Sequence, residues 1–240
     1  MTRLLAAARA LLIAAALVAA GQGAPAQTFG VEQSTPARAA ILVDLKSGAV
    51  LLEKNADTPL PPASMSKLMV LDIVFEALDA GRLSLDDEFR ISENAASMGG
   101  SRMFLREGEL VSVEDLLRGT IAPAGAAAAV ALAEALAGTE EAFAAFMNRR
   151  AGEIGLDDSH FVNATGWPHP DHRMSVRDLA ALAERVVTRF PEYYHYFSEP
   201  EFTWDDITQQ NRNPLLGLGL GVDGMKTGHT QEAGYGLVAS

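Results

Sequence analysis

Cysteine is absent from the 240 residues, and its absence narrows the chemistry that the chain can perform. Without cysteine the chain forms no disulfide, holds no zinc ion through thiolates and has no cysteine nucleophile. Cations are also scarce, because 19 lysines and arginines stand against 31 acidic residues, for a net charge of −12. A surface this acidic repels phosphate backbones and argues against a nucleic-acid partner. The 48% hydrophobic content still predicts a globular protein with a sizeable core.

Long apolar runs are missing except near the N-terminus. There, two arginines precede the run Ala10–Ala20, which is followed by the small residues Ala24-Pro25-Ala26. A basic segment, an apolar run and an A-x-A site are typical of a secretory signal peptide, whereas a membrane-spanning helix needs about 20 apolar residues. We therefore expect residues 1–26 to be a cleaved signal and residues 27–38 a flexible lead-in. The rest of the protein would be exported to the periplasm or cell envelope.

Hydrophobic periodicity predicts strands at both ends of the remaining sequence and helices between them. The predicted strands are residues 39–45, 49–53, 202–204 and 235–239. The predicted helices are residues 64–80, residues 124–137 and the segments that begin after Ser112, Thr139 and Ser175. Strands that are segregated from helices predict an α+β fold, in which an antiparallel sheet packs against a helical cluster.

Ser64 and Lys67 form an S-x-x-K motif at the predicted start of a helix. Three residues of helix advance about 4.5 Å and bring both side chains to one face, near hydrogen-bonding reach. A serine hydroxyl needs an adjacent base to become a nucleophile, and a buried lysine with a lowered pKa can be that base. The motif alone occurs often by chance and more often marks an N-cap serine followed by a solvated lysine, so its context decides its meaning.

A second motif, Lys226-Thr227-Gly228, precedes the predicted strand 235–239. Together, S-x-x-K and K-T-G are typical of penicillin-binding proteins and serine β-lactamases. A lysine there can attract a substrate carboxylate, and a threonine can donate a hydroxyl hydrogen bond. The glycine lets a substrate backbone approach the chain closely.

From about Ala39 to Ser240 the chain resembles the low-molecular-mass penicillin-binding D-alanyl-D-alanine carboxypeptidases. The matching stretches are AAILVDLKSGAVLLEKNAD, PPASMSKLMV, SRMFLREGE, HFVNATG, QQNRNPLL and VDGMKTGHTQEAGYGLVAS. The resemblance implies a β-lactamase/D,D-peptidase-like fold and removal of the terminal D-Ala from peptidoglycan stem pentapeptides through a serine acyl-enzyme. It also implies that β-lactam antibiotics bind, and that no cofactor or metal is needed.

The resemblance also implies roles for individual residues. Ser64 would be the nucleophile and Lys67 its base. The substrate would lie along four consecutive residues, Lys226, Thr227, Gly228 and His229. The backbone N–H groups of Ser64 and His229 would form the oxyanion hole. Arg212 is a candidate on the substrate side, with a structural ion pair as the alternative reading.

The chain departs from the family at its third motif, a Ser-x-Asn element. The matched positions, Ala124 and Ala126, cannot relay a proton or hold the lysine and the substrate amide. Ser92-Glu93-Asn94 has the formal pattern, but it lies too close to Ser64 in sequence and is better explained as a surface loop or helix cap. We therefore expect an impaired catalytic site.

The sequence also leads to expectations about the extent of the domain, the alternative functions and the exposure of two further segments. The chain is expected to stop inside the catalytic fold, so that residues 39–240 form a truncated domain without the family's second domain and C-terminal membrane-anchoring helix. The alternatives to a carboxypeptidase are a non-catalytic module that binds muropeptides or β-lactams and a serine β-lactamase. The segment His169–His172 is expected to be a surface loop rather than a metal site, and Phe104 is expected to lie in the core.

Overall fold

The computed structural model describes residues 35–240. The predicted signal peptide and residues 27–34 of the lead-in lie outside the described residues, and residues 35–38 have no regular secondary structure. The strands are β1 (Ala40–Asp44), β2 (Ala49–Lys54), β3 (Glu88–Arg90), β4 (Leu110–Ser112), β5 (Glu201–Trp204), β6 (Ile207–Gln210), β7 (Met225–Thr230) and β8 (Gly234–Ala239). The helices are α1 (Lys67–Asp79), α2 (Glu93–Ser97), α3 (Val113–Ile121), α4 (Ala126–Ala137), α5 (Glu140–Ile154) and α6 (Val176–Arg189), with 3₁₀ turns at Ala63–Ser66 and Tyr194–Ser198.

The helix starts that were predicted from capping residues are confirmed. Ser112, Thr139 and Ser175 each accept a hydrogen bond through the side-chain oxygen from the backbone N–H three residues further on. These bonds satisfy N–H groups that have no partner within the helix, which is why the helices begin at these positions. Ser92 likewise caps the short helix α2, as expected for a helix cap.

The strands form four two-stranded antiparallel sheets, where the sequence pattern predicted an antiparallel sheet. The pairs are β1 with β2, β3 with β4, β5 with β6, and β7 with β8. Helix α6 contacts both β1 and β8, but no hydrogen-bond ladder joins these two strands among the described residues. The fold class itself, α+β with a helical cluster, is confirmed.

Helix α1 forms the centre of the core. All its residues from Lys67 to Leu78 are buried except Glu76, and helices α4, α5 and α6 pack around it. A helix that is apolar on nearly every side is stable only inside a protein, because each face then leaves water. Lys67 is the first residue of this helix and is 1% exposed.

The structure also tests the predicted burial of Phe104 and shows whether the described helices could span a membrane. Phe104 is 46% exposed, so the expectation that it lies in the core was wrong. Its backbone adopts the left-handed conformation, with a φ of 58°. Within residues 35–240 no helix is both long and apolar enough to cross a bilayer.

Candidate active site

The S-x-x-K motif folds into a compact turn that brings its two functional side chains together. Ser64 lies in the 3₁₀ turn, and Lys67 is the first residue of α1. The Lys67 Nζ atom lies 2.9 Å from Ser64 Oγ and donates a hydrogen bond to the backbone oxygen of Thr165 at 2.6 Å. The spacing of the motif therefore brings the serine hydroxyl and the lysine amine within hydrogen-bonding distance, as the sequence predicted.

The environment of Lys67 favours a neutral amine. Burial, followed by the positive charge of Arg212, lowers the pKa of Lys67 to about 7, whereas the charge of Glu140 raises it. Burial lowers a lysine pKa because a low-dielectric site disfavours the charged form. Near neutral pH a large fraction of Lys67 can therefore accept a proton from its neighbour, Ser64.

The K-T-G motif lies in β7, directly beside the turn that carries Ser64. A Cβ atom on Gly228 would come within 3.0 Å of Pro62 O and 3.1 Å of the Ser64 backbone nitrogen. Only glycine allows the strand to approach the turn this closely. His229 follows at the exposed edge of the strand and stacks on Tyr235 of β8, with ring centroids 4.2 Å apart.

Three basic side chains, Lys67, Lys226 and Arg212, lie around this junction. Lys226 is 1% exposed, and burial, then Lys67 and Arg212, lowers its pKa well below the ordinary value. Arg212 is exposed, and its backbone N–H donates to Ala122 O at 3.2 Å. Among the residues that the structure describes, the Arg212 side chain has no acidic partner within salt-bridge distance. The ion-pair reading of Arg212 is therefore wrong for this part of the chain.

Ala126 is the first residue of α4 and Ala124 lies two residues before it; both are buried, with 2% and 3% of their surfaces exposed. Ala124 has a left-handed backbone with a φ of 57°. Ala126 N–H donates to the backbone oxygen of Ser101 at 2.9 Å. Their methyl groups offer Lys67 no hydrogen bond, so within residues 35–240 its partners are Ser64 and Thr165 alone.

Thr165 is a member of the site that the motif analysis did not single out. Its loop contains Asn163, whose Oδ1 accepts hydrogen bonds from the backbone N–H groups of Thr165, Gly166 and Trp167. The sequence N-A-T-G carries a local signal for this turn, because an asparagine can bond its own backbone two residues on and a glycine tolerates positive φ. Nothing in that signal says that the turn faces Lys67.

The segment His169–His172 is exposed at one end and buried at the other. Residues 35–240 contain no group of three His, Cys, Asp or Glu side chains that could hold a metal ion. His169 and Asp171 are exposed, but His172 is 1% exposed, so the surface-loop expectation was wrong for that residue. Burial lowers the pKa of His172 to about 4, and its ring packs edge-on against Phe161.

Comparison with known proteins gives a consistent result. The sequence profile of the D-alanyl-D-alanine carboxypeptidase family matches residues 26–240. The chain is 41% identical to the D-alanyl-D-alanine carboxypeptidase DacD of Salmonella typhimurium, over 97% of this chain and 63% of that protein. It is 43% identical to DacC of Escherichia coli, over 88% of this chain and 56% of that protein. The chain thus spans between half and two thirds of the length of these relatives.

Solved structures agree with the sequence comparison. Penicillin-binding protein 5 from Haemophilus influenzae superposes with a TM-score of 0.82 at 40% identity, covering 86% of this chain and 62% of that one. Penicillin-binding protein D2 from Listeria monocytogenes, solved in an ampicillin-bound form, gives a TM-score of 0.76 at 31% identity and covers 85% of this chain and 83% of that one. On the family match and these relatives, the chain belongs to the D-alanyl-D-alanine carboxypeptidase family.

Proposed function

We propose that this protein is a serine D-alanyl-D-alanine carboxypeptidase that removes the terminal D-Ala from peptidoglycan stem pentapeptides. The observation that carries the proposal is the hydrogen-bonded pair of Lys67 Nζ and Ser64 Oγ, 2.9 Å apart, in which burial lowers the pKa of Lys67 to about 7. The names of the relatives support the same activity. The protein would act in the periplasm or cell envelope, where this substrate lies, and β-lactam antibiotics would acylate the same serine.

The reaction begins with a proton transfer that the geometry favours. Neutral Lys67 accepts the hydroxyl proton of Ser64 while its N–H donates to Thr165 O, which keeps the nitrogen lone pair directed at the serine. Ser64 Oγ then attacks the carbonyl carbon of the penultimate D-Ala. The peptide C–N bond breaks, the proton on Lys67 passes to the leaving D-Ala amine, and water later hydrolyses the ester.

The substrate side of the site would use β7. The backbone N–H groups of Ser64 and His229 would stabilise the oxyanion, since Gly228 brings the strand against the Ser64 turn. Lys226, Thr227 and Arg212 would bind the terminal carboxylate. A bound carboxylate favours the charged form of Lys226 and offsets the loss of charge that burial causes.

The alanines at positions 124 and 126 predict a slow enzyme. Removing members of a catalytic unit lowers the rate by about 100-fold or more. We expect benzylpenicillin to form an acyl adduct on Ser64 slowly, and Ala124→Ser with Ala126→Asn to accelerate it by about 100-fold. Intact-mass spectrometry over time measures both rates, and Ser64→Ala defines the background.

A matched control for the double variant is Ala135→Ser, which adds a hydroxyl to an exposed position of the same helix. This variant should acylate as slowly as the natural sequence. Rapid, stoichiometric labelling of the natural sequence would overturn the predicted impairment. Failure of the double variant to react faster would mean that the defect lies elsewhere in the site.

A second function is favoured by the same two alanines. A protein that keeps the cations and β7 but acylates too slowly would be a module that binds muropeptides or β-lactams. Calorimetric binding of a D-Ala-D-Ala peptide without release of D-Ala would support this module over the enzyme. Rapid turnover of a chromogenic cephalosporin would instead indicate a β-lactamase.

A further inference from the structure

We propose that Asn163 and Glu140 are positioning residues that hold the Thr165 carbonyl against the Lys67 amine. This role rests on the proposed function, because it concerns the base that would activate Ser64. Neither residue contacts Ser64 or Lys67 through a hydrogen bond. Both act through the loop that joins them to Thr165.

Asn163 shapes the loop from inside. Its Oδ1 accepts from the backbone N–H groups of Thr165 at 3.2 Å, Gly166 at 2.8 Å and Trp167 at 3.2 Å, and from the Thr165 hydroxyl at 3.1 Å. Its Nδ2 donates to Trp167 O at 3.1 Å. One side chain thus closes the turn at both ends, which leaves the Thr165 carbonyl free to accept from Lys67.

Glu140 attaches the same loop to α5. Its Oε1 accepts a hydrogen bond at 2.9 Å from the backbone N–H of Ala164, the residue between Asn163 and Thr165. Glu140 is the first residue of α5, where the helix dipole favours a negative charge. Ala164 and Thr165 are 0% and 1% exposed, so this attachment is shielded from water.

The loop rests directly on the turn that carries Ser64. A Cβ atom on Gly166 would overlap the carbonyl group of Ala63 and approach Ser66 Oγ to 2.9 Å. Any movement of the loop would therefore alter both the Thr165–Lys67 hydrogen bond and the packing of the Ser64 turn. A displacement of about 1 Å in such a site can lower a rate by about 100-fold.

Four ionisable groups lie near enough to Lys67 to interact with its charge. Arg212 and Lys226 are the basic neighbours, with Arg212 before β7 and Lys226 near its start. His172, neutral near pH 7 because burial lowers its pKa to about 4, accepts a hydrogen bond from the backbone N–H of Val162 at 3.2 Å. Glu140 is the anion of the group, and it alone favours the charged form of Lys67. Removing its charge should therefore lower the lysine pKa.

The test is a pH titration of the intact protein labelled with ¹³C at the lysine Cε, in which the Lys67 signal is the one lost in Lys67→Arg. The titration midpoint should lie near 7 in the natural sequence. Glu140→Gln keeps the acceptor for Ala164 N–H but removes the charge, so the midpoint should fall by roughly 0.5 or more. Glu141→Gln removes a charge from the exposed neighbouring residue and should shift the midpoint by less than about 0.2.

Asn163→Ala should shift the midpoint in the opposite direction. Without the Asn163 oxygen the loop loosens and admits water to Lys67, and burial is the largest cause of its low pKa. The midpoint should therefore rise toward 10.5. Asn163→Ser, whose hydroxyl can make the same turn more weakly, should give an intermediate value. Asn94→Ala, at an exposed amide that binds Glu134 instead, is the control and should not shift it.

The outcomes separate this role from the proposed function. A midpoint in Asn163→Ala that equals the natural value, in a variant that melts as a folded protein, would overturn the positioning role even if the natural protein releases D-Ala. An unchanged midpoint in Glu140→Gln would overturn the effect of the Glu140 charge on Lys67. Opposite shifts in a protein that never releases D-Ala would support the positioning role and overturn the carboxypeptidase.

Discussion

Gly166 illustrates how a single residue decides the geometry of this site. Its φ of 79° lies in the left-handed region, which glycine adopts without a steric penalty. It also lies where a side chain would collide with the carbonyl of Ala63, one residue before Ser64. A side chain at position 166 is therefore disfavoured for two reasons, the left-handed backbone and the lack of space beside Ala63.

We expect Gly166→Ala to lower the free energy of unfolding by roughly 3 kcal/mol, because strain of about 1 kcal/mol adds to an overlap that displaces the backbone. The matched control is Gly155→Ala. Gly155 has a φ of 76°, but a Cβ there meets nothing within 4 Å, so only about 1 kcal/mol should be lost. Urea unfolding measures both values. Equal losses would mean that the contact with Ala63 relaxes at little cost.

Helix α1 is joined to its neighbours by a buried carboxylate as well as by apolar packing. The Asp72 side chain is 0% exposed, and it accepts from Arg150 Nε of α5 at 3.1 Å and from Arg185 Nε of α6 at 2.7 Å. Glu76, one turn further along α1, binds the same two guanidinium groups. The network therefore fixes how α5 and α6 pack against α1, the helix that begins with Lys67.

We expect Asp72→Ala to lower the free energy of unfolding by about 3 kcal/mol or more, because two guanidinium groups lose a buried partner. Asp79→Ala is the control. Asp79 also lies on α1 and binds an arginine of α6, Arg189, but both side chains are substantially exposed. An exposed pair of this kind contributes less than about 1 kcal/mol. Denaturant midpoints of the two variants that coincide would contradict a structural role for the buried network.

Protection from solvent is unevenly distributed across residues 35–240. Helix α1 is almost wholly buried, whereas five of the six residues of β2 are exposed. The β1–β2 hairpin also presents Leu42 and Leu51 to solvent, with exposures of 52% and 56%. The helical cluster is therefore expected to be the most stable part of the described chain.

Hydrogen exchange followed by mass spectrometry should show this difference directly. Amides in peptides from α1 should exchange slowly, at rates set by global unfolding, and amides from β1 and β2 should exchange faster through local opening. Both peptides come from one sample, so each serves as the control for the other. Identical protection in α1 and the hairpin would mean that the described chain opens as one cooperative unit.

Local chemistry was sufficient to predict much of this protein. The caps at Ser112, Thr139 and Ser175, the first hairpin and the contact between Ser64 and Lys67 all depend on residues within a few positions of each other. Such interactions are encoded by spacing, since the helix and strand repeats fix which neighbours meet. The family resemblance followed from motifs of the same short range.

Packing between distant segments decided the contacts of Lys67 and the position of β7 beside the Ser64 turn. Lys67 meets the carbonyl of Thr165 across 98 residues of sequence, and Gly228 brings β7 to the Ser64 turn. A backbone carbonyl carries no residue-type signature, so no motif could have identified Thr165 as a partner. Burial, which gives Lys67 a pKa of about 7, also exists only once the helices have closed around it. The sequence supplied the reacting groups, and the folded core set their protonation and their orientation, because both depend on which distant atoms exclude water from the site.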